Sequence, residues 1–132
     1  MNISADFGIT VTDTLRRKND ELIHRMDLSS DNLNHDRVRE IFPDIDFNSN
    51  TAFLAVTGGR HLELGENIDK TPIIHVNEIE AIGEGSMSLA KLNKDESTII
   101  VSAGSGTACI HAQNGVYTVS YTHLTLPTMI GV

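Results

Sequence analysis

The sequence predicts a mixed α/β domain in which one sheet carries helices on its faces. Three segments that open the chain, at residues 2–7, 9–15 and 20–28, have the apolar and polar pattern of strands. Amphipathic segments then alternate with short apolar runs, which gives the predicted order β-β-β-α-β-α-β-α followed by further strands. Opening strands followed by alternating helices and strands indicate a sheet with both antiparallel and parallel pairs.

The first helix is predicted between the third strand and Pro43. The Ser-Ser-Asp triplet at residues 29–31 contains residue types that cap helix N-termini. The apolar residues after it form a ragged helical face: Leu33, Val38 and Ile41. Because proline cannot continue a helix, we expect this helix to end before Pro43.

Two short apolar runs predict buried strands of the kind found in parallel sheets. They lie at residues 53–56, before a Thr-Gly-Gly sequence, and at residues 73–76. One short helix is predicted between them, at residues 60–67. After the second run, Asn77 is typical of a helix N-cap, and the apolar spacing predicts a helix over residues 78–92.

The last strands are predicted at residues 98–103 and 107–112, as a hairpin around a glycine-rich turn, with a third strand beginning at 116–118. No internal repeat is visible in the sequence. The chain then changes character abruptly at residue 119.

Residues 119–128 read Val-Ser-Tyr-Thr-His-Leu-Thr-Leu-Pro-Thr, which resembles the translation of a transposon-end sequencing adapter at ten consecutive positions. A natural threonine-rich edge strand is the alternative. We interpret residues 119–132 as a non-native tail and residues 1–118 as a truncated N-terminal domain of a longer parent protein.

The composition argues against several functional classes. A formal net charge of −8 disfavours binding to a nucleic-acid backbone or an anionic membrane. The single cysteine, Cys109, excludes an internal disulfide and fits a reducing compartment. The sequence has neither a signal-peptide pattern at its start nor an apolar run long enough to span a bilayer. We therefore expect a cytoplasmic protein with no nucleic-acid or membrane partner.

Two glycine–threonine turns are the most informative functional feature. They lie at residues 6–10 and 102–107, and each follows an apolar strand. Glycine allows backbone N–H groups to approach an anion closely, and a neighbouring threonine hydroxyl adds a donor. Two such turns indicate a cleft that holds phosphate, and two ordinary hairpin turns are the alternative.

An acidic motif lies between the two turns. Glu78 follows the predicted strand 73–76 closely, which would place it at the carboxyl end of the sheet, where α/β proteins bind ligands. The alternative is that Glu78 and Glu80 are first-turn glutamates that complement the helix dipole.

Four motifs in this order resemble those of the actin-like ATPase (ribonuclease H-like) and sugar-kinase superfamily, and most closely those of type II pantothenate kinases. The motifs lie at residues 6–12, 56–59, 76–81 and 101–107, and the resemblance spans residues 3–118. It implies that the chain is the N-terminal half of an actin-like ATPase domain.

The resemblance also implies a function: ATP-dependent phosphorylation of pantothenate, the first step of coenzyme A synthesis, by the intact parent, which would be a homodimer. It implies that Glu78 is the general base and that Asp6 orients Mg²⁺ or a metal-bound water. Gly8 and Thr10 would line the phosphates of ATP. The acceptor would contact Ser105, Gly106 and Thr107. The truncated chain itself is expected to be inactive.

Two residues depart from the pattern of the pantothenate kinases. Ile9 replaces the second glycine of the first loop, and Asp13 stands where these kinases usually carry lysine. The pair Thr12-Asp13 is similar to that of hydantoinase/oxoprolinase-type proteins. The alternatives are therefore an ATP-dependent amidohydrolase of that type and a non-catalytic, nucleotide-binding regulatory domain. The six histidines show no metal-site spacing, and we assign none of them to a metal.

Overall fold

The computed structural model describes residues 2–29, 31–49, 53–104 and 107–121. The chain forms a mixed α/β fold, as predicted. It divides into two compact units, Met1–Asn77 and Glu78–Val132. Each unit has its own sheet, with six strands in the first and three in the second.

The sheet of the first unit contains both antiparallel and parallel pairs. Its strands are β1 (Ile3–Phe7), β2 (Val11–Lys18), β3 (Glu21–Ser29), β4 (Leu54–Thr57), β5 (Asn67–Ile68) and β6 (Thr71–His75). Their order across the sheet is β3-β2-β1-β4-β6-β5. β1, β4 and β6 run parallel to one another, whereas β2, β3 and β5 pair antiparallel with their neighbours. The carboxyl ends of the three parallel strands therefore lie at one edge.

Alternation along the parallel strands places the core on one face of this sheet. Ile3 of β1 is the register partner of Leu54 of β4, which in turn partners Ile73 of β6, and all three are buried. The helix α1 (His35–Ile41) contributes Val38 and Ile41 to the same core. The remaining buried members include Ala5, Phe7, Leu33, Phe42, Phe47, Val56, Leu64 and Ile68.

Helix α1 begins later than the sequence predicts. Its N-cap is Asn34, whose Oδ1 accepts a hydrogen bond from the Arg37 N–H at 2.8 Å. The Ser-Ser-Asp prediction for the cap is therefore wrong. Ser29 ends β3 instead, and its Oγ accepts from the Asp31 N–H at 3.1 Å, which closes a local turn. The helix ends before Pro43, as predicted.

The helix predicted at residues 60–67 is shorter than expected. A 3₁₀ helix covers only His61–Leu64, and Gly65 follows it with a φ of 73°. The chain then enters β5, a two-residue strand that the sequence analysis did not predict, and β5 turns directly into β6. Such a short strand has too few residues to show an alternating pattern.

The second unit is a helix followed by an antiparallel meander. Its elements are α2 (Glu78–Leu89), β7 (Thr98–Ala103), β8 (Thr107–Gln113) and β9 (Val116–Tyr121), with the strands in the order β7-β8-β9. The core is formed by Met87, Ile100, Ile110 and Ala112. Residues 119–121, where the proposed tail begins, continue β9, and residues 122–132 lie outside the described residues. The origin of the tail stays a prediction.

Helix α2 ends at Leu89, three residues before the predicted end. Lys91 adopts a left-handed φ of 55°, and its N–H donates to the Ser88 carbonyl at 3.2 Å. The Leu92 N–H donates to the Met87 carbonyl at 3.0 Å. This pair of bonds is a Schellman cap, in which glycine usually occupies the left-handed position. Lysine at that position hides the helix end from sequence analysis.

Each unit contains a three-stranded antiparallel meander, β1-β2-β3 in the first and β7-β8-β9 in the second, although no repeat is visible in the sequence. Both β1-β2-β3 and β7-β8-β9 have a glycine-containing connection in the first hairpin. The second hairpin of each turns through two left-handed residues, Asn19 and Asp20 with φ of 50° and 64°, and Asn114 and Gly115 with φ of 54° and 74°. Two successive residues with positive φ are typical of type I′ turns, which match the twist of the strands.

Among the described residues, neither α1 nor α2 is long and apolar enough to cross a membrane.

Candidate functional site

The first glycine turn is a tight hairpin between β1 and β2. The Gly8 N–H donates to the Val11 carbonyl oxygen at 3.1 Å. A Cβ at Gly8 would lie 2.7 Å from that oxygen, so any larger residue would force the turn apart. Ile9 and Thr10 form the exposed tip. The N–H of Gly8 is therefore used within the turn and shapes the loop. The residues of this turn that could contact an anion are Ile9 and Thr10, at its exposed tip.

Asp6 lies on the sheet face opposite the core. Its neighbours Ala5 and Phe7 are buried, whereas Asp6 is exposed. The strand register places Asp6 beside Asp13 of β2 and beside Thr57 of β4. Residues paired in this way share a face, with Cβ atoms about 4.5–5.5 Å apart. These three side chains form what we call the Asp13–Asp6–Thr57 row, which crosses three strands near the carboxyl ends of β1 and β4.

The loop after β4 packs directly on the end of β1. Gly58 has a φ of 100°, a conformation that residues with a Cβ rarely adopt. A Cβ at Gly58 would lie 2.5 Å from the carbonyl carbon of Phe7 and 2.7 Å from Oδ1 of Asp6. By contrast, a Cβ at Gly59 would make an ordinary contact, 3.6 Å from Cγ1 of Ile9. Glycine at position 58 therefore allows this loop to lie against the Asp6 carboxylate.

Two polar atoms of the row are buried and make no hydrogen bond within the described ranges: Oγ1 of Thr57 and Oδ1 of Asp13. Oδ1 of Asp13 lies 3.5 Å from Nε2 of His24, which is an ion-pair distance when that imidazole is protonated. Asp13 also stands directly opposite Asp6, and like charges in that arrangement repel. A cation beside the row would reduce this repulsion and give the unpaired oxygens a partner.

The donor set fits Mg²⁺ carried by a phosphate. Mg²⁺ prefers oxygen ligands and is usually held by one or two carboxylates, with water and phosphate oxygens completing an octahedron. The row supplies two carboxylates and a hydroxyl. Among the residues that the structure describes, no group of three or more His, Cys, Asp or Glu side chains could hold a metal ion by itself. The row is therefore suited to a metal that arrives with its own phosphate ligands.

The proposed base, Glu78, is the first residue of α2 and is exposed to solvent. It follows Asn77 directly, so the start of the helix agrees with the predicted position. Glu80 is also exposed and also lies in the first turn. Two acidic residues there complement the positive end of the helix dipole. The catalytic role of Glu78 stays a prediction, and Glu80 offers a matched control for testing it.

The second glycine turn is described only in part. Ser105 and Gly106, two of the three residues expected to contact the acceptor, lie outside the described residues. The third, Thr107, begins β8 and is half-buried. Its Oγ1 is buried and makes no hydrogen bond to any described residue. Thr107 thus resembles Thr57, since each places an unpaired hydroxyl beside a glycine loop.

Thr57 and Gly58 are not identified as site residues by the sequence pattern alone. Both belong to the Thr-Gly-Gly sequence that follows an apolar strand, and this position after the strand is the sequence feature that could have indicated a site. What the sequence could not supply is the register of β4 against β1, which brings Thr57 beside Asp6. Asp13 was noted for its departure from the kinase pattern, and the register explains why its charge matters.

The chain is similar to several solved structures. The chain is similar to a proposed 2-dehydro-3-deoxygalactonokinase from Sinorhizobium meliloti, with a TM-score of 0.58 and 9% identity, over 90% of this chain and 54% of that one. Weaker matches include YeaZ from Pseudomonas aeruginosa, with a TM-score of 0.44 and 9% identity over 91% of this chain and 65% of that one. The PPX-GPPA enzyme of Aquifex aeolicus matches with a TM-score of 0.46 and 12% identity, over 92% and 50%. No protein-family model and no curated protein matches the chain.

The predicted fold class is confirmed. The mixed sheet and the match to the Sinorhizobium meliloti structure show an α/β fold of the actin-like ATPase and sugar-kinase type. At 9% identity, this match establishes the fold and not an activity. The chain spans between half and two thirds of the length of these solved structures.

Proposed function

We propose that the parent protein transfers the γ-phosphoryl group of ATP to the primary hydroxyl of a small molecule, and that this acceptor is pantothenate. The observation that carries the proposal is the packing of the loop after β4 against Asp6. Gly58 brings the loop onto the Asp6 carboxylate, and the hydroxyl of Thr57 lies in the same row without a hydrogen-bond partner among the described residues. A carboxylate, an unpaired hydroxyl and an exposed glycine hairpin together suit a magnesium–phosphate group.

Each residue has a distinct task in this proposal. Asp6 would hold Mg²⁺ or orient a water bound to it, and the ion would supply charge neutralisation at the transferred phosphate. The Gly8–Thr10 hairpin holds the phosphates with Thr10 and the backbone of its exposed tip. Glu78 accepts the proton of the acceptor hydroxyl while that oxygen forms its bond to the γ-phosphorus. The bond between the γ-phosphorus and the bridging oxygen breaks, and ADP leaves with its electron pair.

Phosphoryl transfer depends mainly on positioning and on charge stabilisation. The base therefore needs a fixed place more than an unusual pKa. A first-turn helix residue satisfies this requirement because its backbone is held by the helix that follows it. The homodimeric state of the parent and the contacts of Ser105, Gly106 and Thr107 with the acceptor are further parts of the proposal.

The test is to incubate the full-length parent with ATP, Mg²⁺ and pantothenate, and to measure phosphopantothenate by mass spectrometry. Glu78→Gln should lower turnover by at least about 100-fold, the usual contribution of a general base, while ATP binding is unchanged. Glu80→Gln removes the same charge two residues away and should retain turnover within about twofold. A folded parent that forms no phosphopantothenate, or equal losses in the two variants, would overturn the proposal.

A second candidate function has a specific observation in its favour. Asp13 lies in the row directly opposite Asp6, a place where type II pantothenate kinases usually carry lysine. This carboxylate favours an ATP-dependent amidohydrolase of the hydantoinase/oxoprolinase type. The same assay with 5-oxoproline in place of pantothenate distinguishes the two, since only the amidohydrolase would couple ATP hydrolysis to ring opening. Binding of ATP without either product would support a non-catalytic regulatory domain.

A further inference from the structure

Two histidines in the first unit face each other through their Nδ1 atoms. His61 begins the 3₁₀ helix and His75 ends β6, so the pair joins the helix to the strand end. Their Nδ1 atoms are 2.8 Å apart, and the ring centroids are 5.0 Å apart with the ring planes inclined by 40°. Both side chains are half-buried. Because the two histidines are 14 positions apart in the sequence, no spacing rule for metal ligands would have identified the pair.

The hydrogen bonds of His75 determine which nitrogen carries its proton. Nε2 of His75 lies 2.6 Å from the carbonyl oxygen of Gly65. A carbonyl oxygen can only accept, so Nε2 carries the hydrogen, and in the neutral ring Nδ1 presents a lone pair. The Nδ1–H of His61 then donates to that lone pair. A histidine that donates one ring N–H to a backbone carbonyl and presents its other nitrogen is oriented as metal-binding histidines are.

The distance between the two Nδ1 atoms is close to that in a metal chelate. With metal–nitrogen bonds of about 2.0–2.1 Å, two imidazole nitrogens lie about 3.0 Å apart at a 90° angle and about 3.3 Å apart at the tetrahedral angle. The pair would need to open by only about 0.2–0.5 Å, with each ring tilting so that its lone pair points at the ion. Binding would place the proton of the neutral His61 on Nε2 instead of Nδ1, by exchange with solvent, so the pair would take up the ion with no net change in its number of protons.

We propose that His61 and His75 form a two-histidine site for a divalent transition metal such as Zn²⁺, Ni²⁺ or Cu²⁺. Imidazole nitrogen suits these ions, whereas Mg²⁺ requires oxygen ligands and is not bound here. No third His, Cys, Asp or Glu completes the group within the described part of the chain. The bound ion fastens the 3₁₀ helix to the end of β6. The site is independent of the proposed phosphoryl transfer, and its test uses no nucleotide.

The experiment titrates Zn²⁺ into the metal-free full chain, with affinity measured by calorimetry. His61→Asn and His75→Asn should each weaken zinc binding at least about tenfold, since each removes one of two ligands. The matched control is His35→Asn. Nε2–H of His35 donates to the carbonyl oxygen of Leu64, the residue before Gly65, at 2.7 Å. The His35→Asn variant should bind zinc as tightly as the unaltered chain.

A second measurement on the unaltered chain makes the test independent of how the variants fold. As zinc is added, the ring NMR signals of His61 and His75 should shift together, and the shifts should be complete at one zinc ion per chain. The ring signals of His24 and His35 should not change. The proposal is overturned if the unaltered chain binds no zinc or if the ring signals of the pair do not respond. It is also overturned if a folded His61→Asn or His75→Asn variant binds zinc as tightly as the unaltered chain. The same holds if His35→Asn weakens zinc binding as much as those two variants do.

Discussion

Replacement of Gly58 by alanine tests the packing on which the candidate site depends. An alanine Cβ at this position would lie 2.5 Å from the carbonyl carbon of Phe7 and 2.7 Å from Oδ1 of Asp6. The obstacle at Phe7 is backbone within the central sheet, which cannot move away as a flexible side chain can. A φ of 100° adds strain of about 1–3 kcal/mol for a residue with a Cβ. We therefore expect Gly58→Ala to lower the free energy of unfolding by about 2–4 kcal/mol.

The matched control is Gly59→Ala in the same loop. A Cβ there would be 3.6 Å from Cγ1 of Ile9, an ordinary contact, so the free energy of unfolding should change by no more than about 0.5 kcal/mol. Because the chain has no tryptophan, unfolding in urea is best followed by far-UV circular dichroism. The reasoning would be refuted if the two alanine variants unfolded at the same urea concentration with the same slope.

Two further predictions concern the helix of the second unit and a surface ion pair. Gly83→Ala should lower the free energy of unfolding by about 1–2 kcal/mol, because a Cβ there would lie 2.6–2.7 Å from ring atoms of Tyr117. Gly85 has open space around it, so Gly85→Ala should raise the free energy of unfolding by about 0.5–1 kcal/mol through its higher helix propensity. Equal effects of the two variants in thermal unfolding would contradict this prediction. The hydrogen bond from the Arg16 guanidinium holds the pKa of Asp44 below its ordinary value of 3.8. A carboxylate whose pKa is lowered in the folded state stabilises the fold above its ordinary pKa, and this stabilisation is lost as the pH falls through the folded pKa. Asp44→Asn should therefore lower stability at pH 7, by an amount that shrinks as the pH falls below 3.8. Because the Asp44 carboxylate is half-exposed, the loss of unfolding free energy at pH 7 should be below about 1 kcal/mol. A loss of the same size at low pH would contradict this prediction.

Much of the fold could be predicted because its signals are local. Alternation along residues 2–7 predicts the strand that buries Ala5 and Phe7, and the apolar run at 73–76 predicts most of β6. The errors came from competing local signals. Ser29 has the side chain of a helix cap but closes a turn, and Lys91 takes a left-handed conformation that usually indicates glycine.

The candidate site could be predicted only in part, because its contacts connect distant strands. The sequence indicates Asp6 and Gly8 from one motif, and both lie where a hairpin and a strand end meet. The unpaired hydroxyl of Thr57 depends on the register of β4 against β1, which no single segment encodes. The contact between His61 and His75 depends on how a 3₁₀ helix folds back towards β6, and it is likewise invisible at the level of spacing.

The most direct test of the account is the effect of magnesium on ATP binding by the full-length parent and its Asp6→Asn variant. If Asp6 holds the metal, the variant should bind Mg²⁺–ATP about tenfold more weakly or worse, since a contact to a charged group contributes about 1.5–3 kcal/mol. ATP without metal should bind no more weakly than to the unaltered protein. Asp13→Asn removes the same charge from the same row and should weaken Mg²⁺–ATP binding less. Equal affinities for Mg²⁺–ATP in Asp6→Asn and the unaltered protein would contradict the account.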